Sequence, residues 1–311
     1  MPTAQAIIDR IRRECGAGWR ESGIDAVVAG RPEAEVRGVA TAYAPSLEVL
    51  EKAVASGRNM IVSLESPFWT RPDAMIPGMT SPTGTQDGPP GYRPLAAPPA
   101  PAAPGRPEFR DDDPVLVAKR NYIAANNLVV YRFIDNWTAR QPDPVLQALV
   151  GALGWGRSYR PAQGAPWATH GAAFVEIPPA TLRATARVVK QRLKIGAIRI
   201  IGDPDMRVSK AAVSHGNALL VDLERYFAEP GVDLVLIGEA IWENEGMQYV
   251  ADLVASGQKK GLILLGQEPS REPGCEAMAA WLRSFVLEVP VAWIPTGDAR
   301  WAPATSRGGN A

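Results

Sequence analysis

The sequence predicts an α/β protein of two lobes, with mostly buried sheets covered by helices and a crevice at the carboxyl ends of the strands. Three observations predict it. Amphipathic stretches alternate with short apolar ones from Ser46 to Pro295. The apolar stretches lack polar alternation, as strands buried on both faces do. The 311 residues are 46% apolar, ample for a sizeable core in one large or two smaller domains.

The elements follow from local signals. Met1 to Gly16 reads as an amphipathic helix with an early acidic residue, Asp9, rather than a signal peptide. Ser46 caps a helix whose Leu47, Leu50 and Val54 share a face, and Gly57 stops it. A strand, Met60 to Ser63, comes next. Asp113-Pro114 and Asp143-Pro144 each pair an N-cap with a first-turn proline, and between their helices lies a strand, Leu128 to Ile134. Thr181 to Lys194 reads as a helix and Ala197 to Ile201 as a strand. The last third alternates strand Val232 to Ile237, helix Glu245 to Ser256 closed by Gly257, strand Gly261 to Leu265, helix Glu272 to Phe285 and strand Val289 to Pro295.

One segment breaks the alternation. Eleven of the 29 prolines lie between Arg71 and Pro107, interleaved with Gly and Ala and without apolar periodicity. It reads as a mobile surface insertion, or as a lid or arm reaching a neighbouring subunit. The chain therefore divides into 1–70 as the first part of the α/β core, 71–113 as the insertion, 114–301 as the remaining core with the second lobe, and 302–311 as a frayed tail.

Charge and composition exclude several functions. Lys and Arg number 33 against 33 Asp and Glu, with no run of five like charges, so nucleic acid and anionic membranes find no electrostatic footprint. No window approaches eighteen consecutive apolar residues. The protein is expected to be soluble and cytoplasmic, with small molecules or other subunits as partners. Cys15 and Cys275 lack zinc spacing and read as reduced, packed thiols. Asp111-Asp112-Asp113 resembles a metal-binding run, but Asp113 is needed as a cap; Gly202-Asp203-Pro204-Asp205 reads as a turn rather than a phosphate cradle.

In open α/β sheets the reactive crevice lies beyond the carboxyl ends of the strands. The strand ending at Ser63 delivers Leu64-Glu65 and then Trp69; the one ending at Ile134 delivers Asp135-Asn136-Trp137. The strand ending at Ile237 delivers Gly238-Glu239, with Glu243 and Glu245 behind it, and the one ending at Leu265 delivers Gly266-Gln267-Glu268 through Arg271-Glu272 to Gly274. Recurring carboxylates at these ends exceed what solvated loops need. Trp69, Trp137, Trp242 and Trp293 lie at or near the same ends, enough for an aromatic-walled pocket if several face one crevice.

These residues resemble a known family. Glu35-Val36 through Ser46, then Ala53 to Glu65, is similar to the opening of the Ngg-interacting-factor-like (Nif3-like) dinuclear metal-centre proteins, also called type-two GTP cyclohydrolase-like. Tyr131 to Trp137, Gly238-Glu239 and Gly266-Gln267 to Gly274 follow in that family's order. The resemblance implies a hydrolase-like fold holding two metal ions with His and carboxylate ligands, assembled as a homo-oligomer, a hexameric ring. Carried over by position, this chain has Leu64 for a ligand His, Glu65 for His or Glu, and Asp135 for the bridging Asp. Ile134 and Asn136 replace two His, Gln267 a later His, and Arg271 a ligand Glu.

His170 and His215, the chain's two histidines, align with none of these positions and read as a surface-loop residue and a satisfied strand-end residue. An oxygen-only site for a hard divalent cation would draw on Glu65, Asp135, Glu239 and Glu243. Against that, the permanent charge of Arg271 repels a cation and supplies the countercharge that clustered carboxylates need. No cofactor is expected from the residues, although the resemblance implies divalent metal. Three readings stay open: a metal-poor descendant that binds a small molecule or serves as an assembly subunit; an active metal-dependent hydrolase of a small cyclic or nucleotide-like substrate; and a structural partner of a metal-bearing paralogue.

Overall fold

A computed structural model describes residues 1–21, 23–68, 113–161, 171–240, 243–297 and 299–301. The expected insertion between Arg71 and Pro107 and the expected tail from residue 302 lie outside these. The chain forms two compact units, one of residues 1–140 and 279–294, the other of 141–278 and 295–311.

Elements are numbered along the chain. In the first unit α1 (Ala4–Cys15) starts at Thr3, whose hydroxyl accepts the Ala6 N–H, and β1 (Ala26–Ala29), which the sequence did not suggest, follows. After β2 (Val39–Ala42), Ser46 caps α2 (Leu47–Ala55) through the Val49 N–H, and β3 (Met60–Ser63) matches its expected bounds. Asp113 caps α3 (Pro114–Ala125) through the N–H groups of Val115 and Leu116. The next strand, β4 (Val129–Arg132), is shorter than expected because the chain turns at Ile134 into the one-turn helix α4 (Asp135–Thr138). With β13 (Val291–Trp293) these strands form a sheet of order β1-β4-β3-β2-β13, parallel except for β1. Val49 and Leu50 of α2 and Leu116 and Ile123 of α3 bury one face against Ala40, Ile61 and Val130. Each such aliphatic side chain contributes about 1.5–3 kcal/mol by leaving water.

The second unit begins with α5 (Pro144–Ala152), capped by Asp143, then β5 (Arg160–Pro161), β6 (Ala173–Thr181), α6 (Leu182–Leu193), β7 (Arg199–Ile201) and β8 (Arg207–Val213). It continues through β9 (Asn217–Ala218), α7 (Leu220–Ala228), β10 (Leu234–Ile237), β11 (Glu239–Ala240), α8 (Glu243–Ala255), β12 (Gly261–Leu264) and α9 (Gln267–Arg283). Its main sheet runs β5-β6-β8-β10-β12-β7, with β8, β10 and β12 parallel. Leu149 of α5 and Val189 of α6 pack on one face, Leu223 and Phe227 of α7 and Val250 of α8 on the other. The sheet is thus covered on both sides, as its uniformly apolar central strands β10 and β12 require.

One expected boundary is corrected. The helix placed at Glu272 to Phe285 starts at Gln267, so most of the segment read as a strand-end loop is the first turns of α9. Pro269 sits in the first turn, where its missing N–H has no helical partner to lose, and Pro273 forfeits only one bond further on. Gly202 to Asp205 is a turn, as expected, closed by Met206 N–H donating to the Asp203 carbonyl at 3.1 Å.

Candidate functional site

In the first unit β3 and β4 run side by side, with Ser63 paired to Arg132, so their exits Leu64-Glu65 and Phe133 to Asn136 lie together. Leu64 is 0% exposed and belongs to the core, and Ile134 is buried. Glu65 is half-buried; its N–H donates to the Tyr43 carbonyl at 2.9 Å and its carbonyl accepts the Ser63 hydroxyl at 2.8 Å. Asp135 is turned to the backbone, its Oδ2 accepting the Ile24 N–H at 2.8 Å. The Asn136 amide clamps Arg20, accepting its N–H at 2.7 Å and donating to its carbonyl at 3.0 Å.

The organising residue here is Asp25, which sequence reasoning missed. Its Oδ1 accepts the N–H groups of Ile134 and Asp135 at 2.7 and 2.9 Å; its Oδ2 accepts the Asn136 N–H at 2.9 Å and the Asn136 side-chain amide at 3.0 Å. Asp25 therefore caps α4 from a segment more than a hundred residues away. Burial pushes its carboxyl pKa up; the three backbone N–H groups oppose that, and the nearby Asp135 charge adds to it. The Arg132 guanidinium donates to the Ile24 carbonyl, fastening Ile24 to the strand end.

In the second unit the adjacent strands β8, β10 and β12 lead into His215-Gly216, Gly238-Glu239 and Gly266-Gln267. Gly216 has φ +67°, and a Cβ there would lie 2.3 Å from a guanidinium nitrogen of Arg271, which is itself 5% exposed. The buried guanidinium thus lies flat against bare backbone that only glycine provides. The Ser270 hydroxyl accepts the Gly216 N–H at 3.0 Å and donates to the Gln267 carbonyl at 2.6 Å, locking the start of α9 to that turn. Glu239 pairs with Arg199 at 2.5 Å and Arg300 at 3.6 Å. These two arginines are countercharges to it within the unit. Gln267 Nε2 donates to Asn217 Oδ1 at 2.8 Å, and Glu272 Oε1 accepts the Thr296 N–H at 3.1 Å. Glu243 opens α8.

His215 is fully buried, with Nε2 2.8 Å from Asp143 Oδ2, while Asp143 Oδ1 caps α5 through the N–H groups of Val145 and Leu146. It lies at the end of β8, where the sequence placed it, with Nε2 engaged. Trp137 is core rather than an open wall: it is 1% exposed, 6.0 Å from the Phe133 ring and 5.1 Å from Trp281, with the Arg140 guanidinium over its face. Trp293 is part of β13. Trp69, Trp242, His170, Asp111 and Asp112 lie outside the described residues. Cys15 and Cys275 are reduced and in no disulfide, and burial pushes Cys15 up to about 11, so it carries no thiolate near neutrality.

Of the positions at which the resemblance implies metal ligands, Glu65 and Asp135 keep a carboxylate. The other five hold an aliphatic core residue, Leu64, a second apolar side chain, Ile134, two amides bonded to protein, Asn136 and Gln267, and a guanidinium, Arg271. Among the described residues no group of three or more His, Cys, Asp or Glu is placed to hold a metal ion. Likewise, among those residues no helix is long and apolar enough to cross a membrane.

No family model and no curated protein matches the sequence. Solved structures do match. The structural-genomics protein ybgI, of unknown function, is 15% identical with a TM-score of 0.63, covering 96% of this chain and 99% of its own. A Bacillus cereus protein related to NIF3 is 14% identical, with a TM-score of 0.61 and coverage of 98% and 99%. HcgD from Methanocaldococcus jannaschii, in its reduced form, is 15% identical, with a TM-score of 0.57 and coverage of 94% and 97%. The fold that the sequence resemblance implied is therefore the fold of this chain, which is built on the architecture of the NIF3-related proteins.

Proposed function

We propose that this protein is a metal-poor member of the dinuclear-centre fold that binds a small molecule or serves as an assembly subunit, in a closed homo-oligomer. The observation that supports it is the engagement of the inherited ligand positions. Asp135 Oδ2 accepts the Ile24 N–H, the Asn136 amide bonds Arg20 through both its oxygen and its nitrogen, Gln267 Nε2 donates to Asn217, and Arg271 brings a permanent positive charge to a position where the resemblance implies a carboxylate. Leu64, Ile134 and the two amides offer a divalent ion neither imidazole nor carboxylate, and a guanidinium repels one.

Thermal unfolding of the full chain tests it. A ligand that binds the folded state raises the melting temperature by mass action. We expect the same midpoint with Zn, with Mn and with EDTA. A rise of several degrees with either metal, abolished by EDTA, would favour the hydrolase reading instead.

A further inference from the structure

The first unit contains a cavity of about 500 Å³ that has no part in the strand-end arrangement. It is formed where β1 ends and β4 begins, on the face covered by α3, whereas Leu64 and Asp135 follow the carboxyl ends of β3 and β4. Its size is that of a small-molecule pocket, typically 300–1,000 Å³. Phe68, Ile123 and Leu128 supply apolar walls, and each is buried or nearly so. Arg31 and Arg120 supply the charge, and none of the lining side chains is acidic.

The backbone is shaped for this. Gly30 has φ +83°, and a Cβ there would come within 2.1 Å of the Leu128 carbonyl oxygen. Only glycine permits that approach, and the resulting turn brings Arg31 to the cavity directly after β1. On the opposite side the Arg120 guanidinium stands 5.7 Å from the centre of the Phe68 ring, held by cation–π attraction. We infer that this cavity binds an acidic small molecule, with its apolar body on Phe68, Ile123 and Leu128 and a carboxylate or phosphate head between Arg31 and Arg120. Guanidinium forks match both heads, and charge complementarity excludes cations.

A fluorescence titration with 1-anilinonaphthalene-8-sulfonate, an apolar body with one anionic group, tests this on the full chain. We expect saturable binding to one site, displaced by octanoate or octyl phosphate; whichever competes better identifies the head group. Arg31→Glu should weaken binding at least tenfold, Arg31→Gln severalfold, and Ala124→Trp, which fills the cavity from the surface of α3, should abolish it. Circular dichroism verifies that each variant is folded. Wild-type affinity in Arg31→Glu and Ala124→Trp would overturn the assignment. So would equal affinity for the uncharged N-phenyl-1-naphthylamine, which makes the site merely apolar. Binding that appears only after residues 71–107 are replaced by a Gly/Ser linker would also overturn it, because the occupant would then be this chain's own segment.

Discussion

Removing the Asp25 carboxylate is expected to cost about 3–4 kcal/mol. The figure follows from four hydrogen bonds, three of them from backbone N–H groups at the start of α4. Replacing a capping residue by Ala costs about 0.5–2 kcal/mol, and each further buried donor left without an acceptor costs about 1–3. Ile134 and Asn136 are buried, so water reaches those donors poorly, and partial relaxation of α4 offsets some of the sum. Asp25→Asn keeps one acceptor oxygen and should lose about 1–2 kcal/mol. Urea unfolding at pH 7 measures both. The pH dependence gives an independent reading. With its folded pKa raised by burial, Asp25 binds a proton more tightly folded than unfolded, so its contribution to stability falls as pH rises from the ordinary carboxylate value through the folded value, then levels off. Asp25→Asn should lack that fall. A loss under about 0.5 kcal/mol in Asp25→Ala, or the same pH slope in Asp25→Asn as in the parent, would refute the reasoning.

Gly216→Ala should destabilise by about 2–4 kcal/mol, since a left-handed backbone strains Ala by about 1–2 and the new Cβ must displace the buried Arg271 guanidinium. In a double-mutant cycle with Arg271→Ala the clash vanishes, so strictly additive losses would contradict the packing described. Asp143→Ala removes the cap of α5 and the partner of His215 together and should cost about 2–3 kcal/mol in the same urea assay; a neutral result would mean that neither bond matters. Replacing residues 71–107 by a short Gly/Ser linker should leave a folded chain by circular dichroism, and an unfolded product would show the segment to be structural. Light scattering at micromolar concentration should give the mass of a closed oligomer, six chains by resemblance, and a strictly monomeric mass would contradict that part of the proposal.

Much of the fold was legible because its signals are local. Ser46 and Gly57 bracket α2, the Asp-Pro pairs mark α3 and α5, and Thr181 caps α6 where the sequence placed it. Other elements hid for physical reasons. In β6 the consecutive Pro178 and Pro179 argue against a strand, yet they sit where its register with β8 shifts, and a bulge does not need their N–H groups. Pro269 and Pro273 similarly disguised the start of α9. The site was legible in its strand ends but not in its partners. Asp25 lies in a turn with no periodicity and acts on residues 109 to 111 positions away. Arg199 and Arg300 reach Glu239 from 40 and 61 positions off, the second by subtraction of the residue numbers, and nothing in local composition announces either pair. Charge complementarity suggested Arg271 as the countercharge to Asp135 and Glu65, with Glu239 as a third partner; within its own unit Glu239 has Arg199 and Arg300, and Arg271 packs on Gly216.

The most direct test of the central claim is the metal content of the purified full chain, dialysed without chelator and measured by elemental mass spectrometry. The account predicts well below one equivalent of Zn, Fe, Mn, Co and Ni together per chain, because five of the seven positions carried over for ligands hold Leu64, Ile134, Asn136, Gln267 and Arg271, leaving Glu65 and Asp135. Two equivalents of a transition metal per chain would contradict it and restore the metal-dependent hydrolase.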